Sequence, residues 1–94
     1  MVTTFVTKKP FTPKNIFQCL YPLRAKWQTI GFLLDIDEGT LAAIKADNDT
    51  VEDQLREMIT TWMNQVPSPT SVELADAVDT IDQRISQRIR NTMQ

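Results

Sequence analysis

The sequence predicts an all-α domain, an antiparallel bundle of six short helices. Apolar residues recur at helical spacing from residue 14 onward, and no segment alternates apolar and polar residues as a half-buried strand does. The chain has 94 residues, of which 41% are apolar and 23% charged, a composition that suffices for one small core. We therefore expect one domain over residues 14–94, preceded by a linker or flexible tail over residues 1–13.

The first two helices are predicted over residues 14–21 and 23–34. Pro22 separates them, because proline removes a backbone donor and disfavours helical geometry in the residue before it. Gly31 lies within the second helix, where it indicates a close approach by another helix. The apolar spacing rests on Ile16, Cys19, Leu20 and Leu23, and then on Trp27, Ile30 and Leu34.

The third and fourth helices are predicted from their N-caps. Asp37 precedes a short helix over residues 38–46, and Thr50 opens a longer one that ends before Pro67. The third helix is expected to bury Leu41 and Ile44. The expected inner face of the fourth helix consists of Val51, Leu55, Met58, Ile59 and Trp62.

A capping box predicts the fifth helix. Thr70 is followed three residues later by Glu73, so this helix is expected over residues 71–79, and a sixth over residues 82–92. Their inward faces are Leu74, Ala77 and Val78, and then Ile81, Ile85 and Ile89. The core predicted with most weight comprises Trp27, Ile30, Leu34, Leu41, Ile44, Leu55, Met58, Trp62, Leu74 and Ile85.

The composition argues against catalysis, cofactors and metals. The chain has no histidine, one cysteine and two glycines, which excludes the usual zinc sites, histidine-activated nucleophiles and glycine-rich nucleotide cradles. The acidic clusters over residues 35–38 and 47–53 lack the calcium-loop pattern, and helix caps and loop explain them better. Cys19 is expected to be a small buried hydrophobe.

The same features bear on compartment. The longest apolar run, residues 31–34, is far short of a membrane span, so we expect no membrane insertion. The N-terminal residues lack the pattern of a signal peptide, and one cysteine cannot close an internal disulfide. An intracellular, cytoplasmic location is therefore expected.

Charge is unevenly ordered along the chain although the net charge is only −2. Residues 1–34 hold five cations and no acid, residues 35–82 hold all twelve acids, and residues 83–94 hold three arginines. Two interpretations stay open at this point. The charges form ordinary surface pairs, or they form a dipolar surface that steers a protein partner. Nucleic acid is not expected as a partner, because the acidic middle of the chain would repel phosphates.

Four short motifs stand in a fixed order. They are Trp27-Gln28-Thr29-Ile30-Gly31, Leu41-Ala42-Ala43-Ile44, Leu55 through Met58 to Trp62, and Pro69-Thr70 followed by Leu74 and Ala77. This order resembles the signature of the death-domain family, over about three quarters of the chain. The resemblance implies the death fold, and a module without catalysis or cofactor that binds other death-fold domains, of its own kind or of another kind.

The expected working surface follows from the helix register. The inner stripe of the fourth helix turns Asp53 and Glu57 outward, and Arg84 and Arg88 are like charges one turn apart, which an acidic partner would explain. The candidate partner-binding residues are Arg24, Lys26, Asp47, Asp49, Asp53, Glu57, Arg84 and Arg88. The resemblance allows a homo-oligomer. The alternative function is a structural helical domain that docks within a larger scaffold protein.

Overall fold

A computed structural model of the chain describes residues 9–93. Its regular elements are six α-helices and one 3₁₀ segment, which confirms the predicted all-α, six-helix class. In chain order they are α1 (Pro13–Leu20), the 3₁₀ segment (Tyr21–Lys26), α2 (Trp27–Leu33), α3 (Glu38–Asp47), α4 (Val51–Gln65), α5 (Ser71–Asp79) and α6 (Gln83–Thr92). No helix in this described range is long and apolar enough to cross a membrane.

Helix α1 and the 3₁₀ segment form around Pro22. The Thr12 side chain caps α1 by accepting a hydrogen bond from the Asn15 amide, and the 3₁₀ segment begins at Tyr21, whose own φ and ψ are still helical. The prediction that the second helix begins at residue 23 was wrong. Leu23 has φ −104° and ψ 16°, so α2 begins only at Trp27. Leu23 is nevertheless buried, which is why its apolar spacing suggested a helix.

Gly31 allows α3 and α4 to pack closely on α2. A Cβ atom at this position would lie 2.6 Å from Cδ2 of Leu41 and 3.3 Å from Cγ of Met58. The expected close approach at Gly31 is therefore confirmed. The chain then leaves α2 through Asp35, which has a φ of 65°, in the left-handed region that aspartate tolerates better than most residues.

Helices α3 and α4 begin at their predicted caps. The Asp37 carboxylate accepts a hydrogen bond from the Gly39 amide at 3.0 Å, and the Thr50 hydroxyl accepts one from the Asp53 amide at 3.1 Å. The prediction that Val51 faces inward was wrong, since this side chain is 38% exposed. Val51 is the first residue of α4, and the buried stripe of that helix begins one turn later at Leu55.

Helices α5 and α6 form a hairpin. The Thr70 hydroxyl accepts a hydrogen bond from the Glu73 amide and donates one to the Glu73 carboxylate, both at 3.2 Å, so the predicted cap of α5 is confirmed. The Asp82 carboxylate caps α6 by accepting hydrogen bonds from the Arg84 and Ile85 amides. The buried Ser86 hydroxyl donates a hydrogen bond to the Ala75 carbonyl at 2.9 Å and joins the two helices.

All ten residues of the predicted core are buried. The Trp27 indole N–H donates a hydrogen bond to Oε1 of Gln54 at 3.0 Å, and the Gln54 amide group donates one to the Asn48 carbonyl at 2.8 Å. This chain of bonds fixes the start of α2 against α4. Ile81, which was expected to face inward from the sixth helix, is only partly buried and precedes α6.

The N-terminal residues meet the bundle before α1 begins. The Lys9 amide donates a hydrogen bond to the Thr92 carbonyl at 2.7 Å, and the Phe11 ring packs edge-on against Trp62 with 5.9 Å between centroids. Residues 1–8 of the predicted tail over residues 1–13, and residue 94 of the predicted domain, lie outside the described residues. The domain boundary at residue 14 stays a prediction, and residues 9–12 contact the bundle.

Candidate functional site

The charged residues that the sequence singled out lie in three parts of the surface. Arg24 and Lys26 are in the 3₁₀ segment, and Arg84 and Arg88 are on α6. The four acids, Asp47, Asp49, Asp53 and Glu57, run from the end of α3 through the following loop into α4. The three parts differ in how far their charged side chains are already bonded to other groups of the chain.

Arg24 is held by the residue one turn before it. Its guanidinium donates a hydrogen bond to the Tyr21 carbonyl at 2.9 Å and lies 4.2 Å from the centroid of the Tyr21 ring. Tyr21 in turn donates a hydrogen bond from its hydroxyl to the Glu52 carboxylate at 3.4 Å. Lys26, two residues on, is exposed. Arg24 is thus part of a local cation–π arrangement that stabilises the 3₁₀ segment against α4.

A second arginine, Arg56, is used in a similar way, and the sequence analysis did not single it out. Its guanidinium lies 5.6 Å from the centroid of the Phe17 ring and forms an ion pair with Asp53 at 3.0 Å. Phe17 and Tyr21 pack edge to face, with 5.7 Å between their centroids. We call this set the aromatic–arginine surface: Phe17, Tyr21, Arg24 and Arg56.

The predicted acids do not all lie together. Asp47 and Glu57 are exposed and line one groove of about 430 Å³ between α3 and α4, together with Thr40, Ala43, Ile44, Asn48 and Thr61. We call this the α3–α4 groove. Asp53 is instead engaged with Arg56, and Asp49 is exposed in the loop before α4.

Arg84 and Arg88 lie one turn apart on the exposed side of α6, and we call them the α6 arginine row. Among residues 9–93, no carboxylate lies within 4.0 Å of either guanidinium. The third arginine of this helix, Arg90, pairs with Asp76 of α5 at 2.6 Å. Arg88 also lines a small cleft against α1, together with Lys9 and Cys19, and Cys19 is buried as expected.

A further cleft, which the sequence analysis missed, lies between the ends of α2 and α4 and the outer side of α5. It has a volume of about 520 Å³ and carries three carboxylates, those of Asp35, Glu73 and Asp76. Asp35 is far from the other two in the sequence, so only the tertiary structure brings them together. Within the described range, no group of cysteine and carboxylate side chains could hold a metal ion.

The comparison with protein families decides what this helical bundle is. The family model described as Death domain matches residues 14–93. The chain belongs to the Death domain family. Comparisons with curated proteins and with solved structures found no match.

Death domains are non-catalytic modules for protein–protein interaction in signalling, and they bind other death-fold domains. The resemblance stated from four short motifs is therefore confirmed at the level of the family and of its helical fold. For this death domain, the surfaces described above are the places where such an interaction has to be sought.

Proposed function

We propose that this death domain is an assembly module that binds death-fold domains, its own copies or heterologous ones, through complementary charged surfaces. It would serve as an adaptor element in cytoplasmic signalling of the kind that controls apoptosis or innate immunity. The observation that carries the proposal is the separation of an arginine row on α6 from an acidic groove between α3 and α4.

The arrangement supports asymmetric contact between copies. Within the described residues, the α6 arginine row forms no ion pair with the acids of the α3–α4 groove, so both surfaces are available to pair between chains. Contacts between two different surfaces generate rings or open helical assemblies, because each added copy leaves one surface of each kind unpaired. Complementary charge would also raise the association rate and suppress wrong partners.

The candidate residues do not carry equal weight in this proposal. Arg84, Arg88, Asp47 and Glu57 are exposed, and no ion pair within the described residues engages them. Arg24 and Asp53 already have partners in their own chain. Lys26 lies in the 3₁₀ segment with Arg24, and Asp49 lies in the loop before α4. We therefore place the α6 arginine row first and Arg24 last among the cations.

Light scattering after size exclusion, over a range of concentration and salt, tests the proposal. We expect reversible association that weakens as salt rises from about 0.05 to 0.5 M, because screening shortens the reach of exposed charges. The sample is the chain of residues 1–94 alone. A strictly monomeric chain at about 1 mM would contradict self-assembly and favour a structural domain that docks within a larger scaffold.

A further inference from the structure

The cleft between α2, α4 and α5 has an apolar floor and an acidic rim, and we call it the α5 cleft. Its floor consists of the edges of core residues Leu34, Trp62 and Ala77, none of which is more than 9% exposed. Leu33, Val66 and Pro67 form its apolar walls, and Asp35, Glu73 and Asp76 supply the charge. An occupant has to bring both apolar surface and positive charge.

No lysine or arginine is among the residues that line the α5 cleft. Asp76 forms an ion pair with Arg90, which does not itself line the cleft. Glu73 accepts a hydrogen bond from the Thr70 hydroxyl. Asp35 has no cation within 4.0 Å in the described part of the chain. The cleft thus keeps a negative rim that its own chain compensates only in part.

The shape of the cleft is set before anything binds. Asp35 turns the chain at the end of α2 with a left-handed backbone, and its carbonyl accepts a hydrogen bond from the Gln65 side chain at 3.2 Å. This bond ties the end of α2 to the end of α4 across the cleft. A preformed cleft loses little conformational freedom on binding, which favours affinity.

Arginine fits such a cleft better than lysine does. Its planar guanidinium binds carboxylates with two parallel hydrogen bonds and is weakly hydrated, while its methylenes pack on apolar surface. Of the five arginines in the chain, Arg24, Arg56 and Arg90 are already engaged with groups of their own chain. Arg84 and Arg88 are the two that remain.

The α6 arginine row faces away from the α5 cleft of its own chain. Successive helical residues are about 100° apart, so Arg84 lies about 120° and Arg88 about 160° around α6 from Arg90. Arg90 is the residue that reaches Asp76 on the rim of the cleft. Only another molecule can therefore bring an α6 arginine row to this cleft.

We propose that the α5 cleft binds the α6 arginine row of a second copy of this chain. The inference rests on the proposed function, because it names the acceptor surface for self-assembly. Of the two acidic surfaces, it assigns the α5 cleft, and not the α3–α4 groove, as the acceptor, and the proposed function requires only that oppositely charged surfaces of two copies meet. Each copy in such a contact still offers one cleft or one row, so the assembly can extend.

The experiment measures the self-association of three double charge-reversal variants by sedimentation, each alone and in mixtures. The row variant is Arg84→Glu with Arg88→Glu, the cleft variant is Glu73→Lys with Asp76→Lys, and the groove variant is Asp47→Lys with Glu57→Lys. The row variant and the cleft variant alone should each self-associate about tenfold or more weakly, whereas the groove variant should self-associate like the unmodified chain. The row variant mixed with the cleft variant should associate more strongly than either does alone, because the reversed row of one then meets the reversed cleft of the other.

A second substitution covers the risk that Glu73→Lys disturbs the cap of α5. Thr80→Lys adds a cation at the edge of the cleft and leaves the cap intact, and Val72→Lys adds the same charge at an exposed position outside the cleft. We expect Thr80→Lys to weaken self-association and Val72→Lys to leave it unchanged. Both should melt close to the unmodified chain, as exposed substitutions usually do.

Three results would overturn the inference. Weakened self-association of the groove variant, together with normal self-association of the cleft variant, would move the acceptor to the α3–α4 groove and leave the proposed function intact. Equal self-association of Thr80→Lys and the unmodified chain would exclude the cleft. A chain that stays monomeric at about 1 mM would remove a second copy as the occupant and would count against self-assembly as well.

Discussion

Two arginine-bearing surfaces of this death domain carry the same sign of charge but use it differently. On the aromatic–arginine surface, Arg24 and Arg56 lie over the rings of Tyr21 and Phe17, and Arg56 also pairs with Asp53. On α6, Arg84 and Arg88 are exposed and have no carboxylate within 4.0 Å in the described range. The arginines of the first surface bind groups of their own chain, and we propose that those of the second bind a partner.

This difference shows that the exposure of a side chain and the sign of its charge do not by themselves identify a binding surface. Each surface contains two arginines. What separates them is whether a group of the same chain already satisfies the guanidinium. A satisfied arginine contributes to stability, whereas an unsatisfied one contributes to association, because exposed charges act mainly on the rate and specificity of binding.

The largest expected effect concerns the support of the aromatic–arginine surface. Trp27 is 3% exposed, directly follows the 3₁₀ segment and binds Gln54 through its indole N–H. Trp27→Ala should lower the free energy of unfolding by about 3–5 kcal/mol, since it leaves a large cavity and an unpaired amide. Urea unfolding measures this loss, and Trp27→Phe, which keeps most of the volume, should lose clearly less. A melting temperature unchanged by Trp27→Ala would contradict the packing described here.

A smaller effect is expected where the hairpin of α5 and α6 begins. Thr70→Ala removes the hydroxyl that caps α5 through the Glu73 amide. The loss should be about 1 kcal/mol, visible as a lower urea midpoint with an unchanged helical circular dichroism spectrum. Ser68→Ala, in the exposed loop before the cap, is the control and should leave the midpoint in place. Equal midpoints for both variants would mean that the cap does not stabilise α5.

The smallest effect compares single arginines from the two surfaces. Arg56→Ala removes an exposed ion pair and a cation–π contact, so it should cost about 0.5–1 kcal/mol. Arg88→Ala removes a side chain with no ion pair in its own chain and should stay within about 0.5 kcal/mol of the unmodified domain. Urea unfolding of both variants under the same conditions shows which of them loses more stability. A larger loss for Arg88→Ala would break the distinction between the two surfaces.

Much of the fold could be predicted because its signals are local. Four helices begin at a side chain that accepts a hydrogen bond from an amide within the next three residues, and such caps can be recognised in the sequence. They are Asp37, Thr50, Thr70 and Asp82. The misplaced start of the second helix has a physical cause. Leu23 faces the core from a 3₁₀ segment, and apolar spacing reports which side is buried more reliably than which helical geometry is adopted.

The surfaces were less predictable because they combine residues that are distant in the sequence. Phe17 contacts Arg56, and Asp35 lines the same cleft as Glu73 and Asp76, only after the helices have packed. The sequence identified Arg84 and Arg88 as like charges one turn apart, but it gave no sign that Arg24 would be engaged by Tyr21. Sequence reasoning found the charges, whereas their partners required the tertiary structure.

The most direct test of the central claim reverses the two arginine pairs separately. Arg84→Glu with Arg88→Glu and Arg24→Glu with Arg56→Glu make the same change in net charge on two different surfaces. For each variant, sedimentation velocity gives the extent of self-association and a thermal melt gives the stability. We predict that the α6 variant is monomeric with an unchanged melting temperature, and that the other variant melts lower but still self-associates. A stable monomer from the Arg24 and Arg56 pair, together with normal self-association of the α6 variant, would contradict the account.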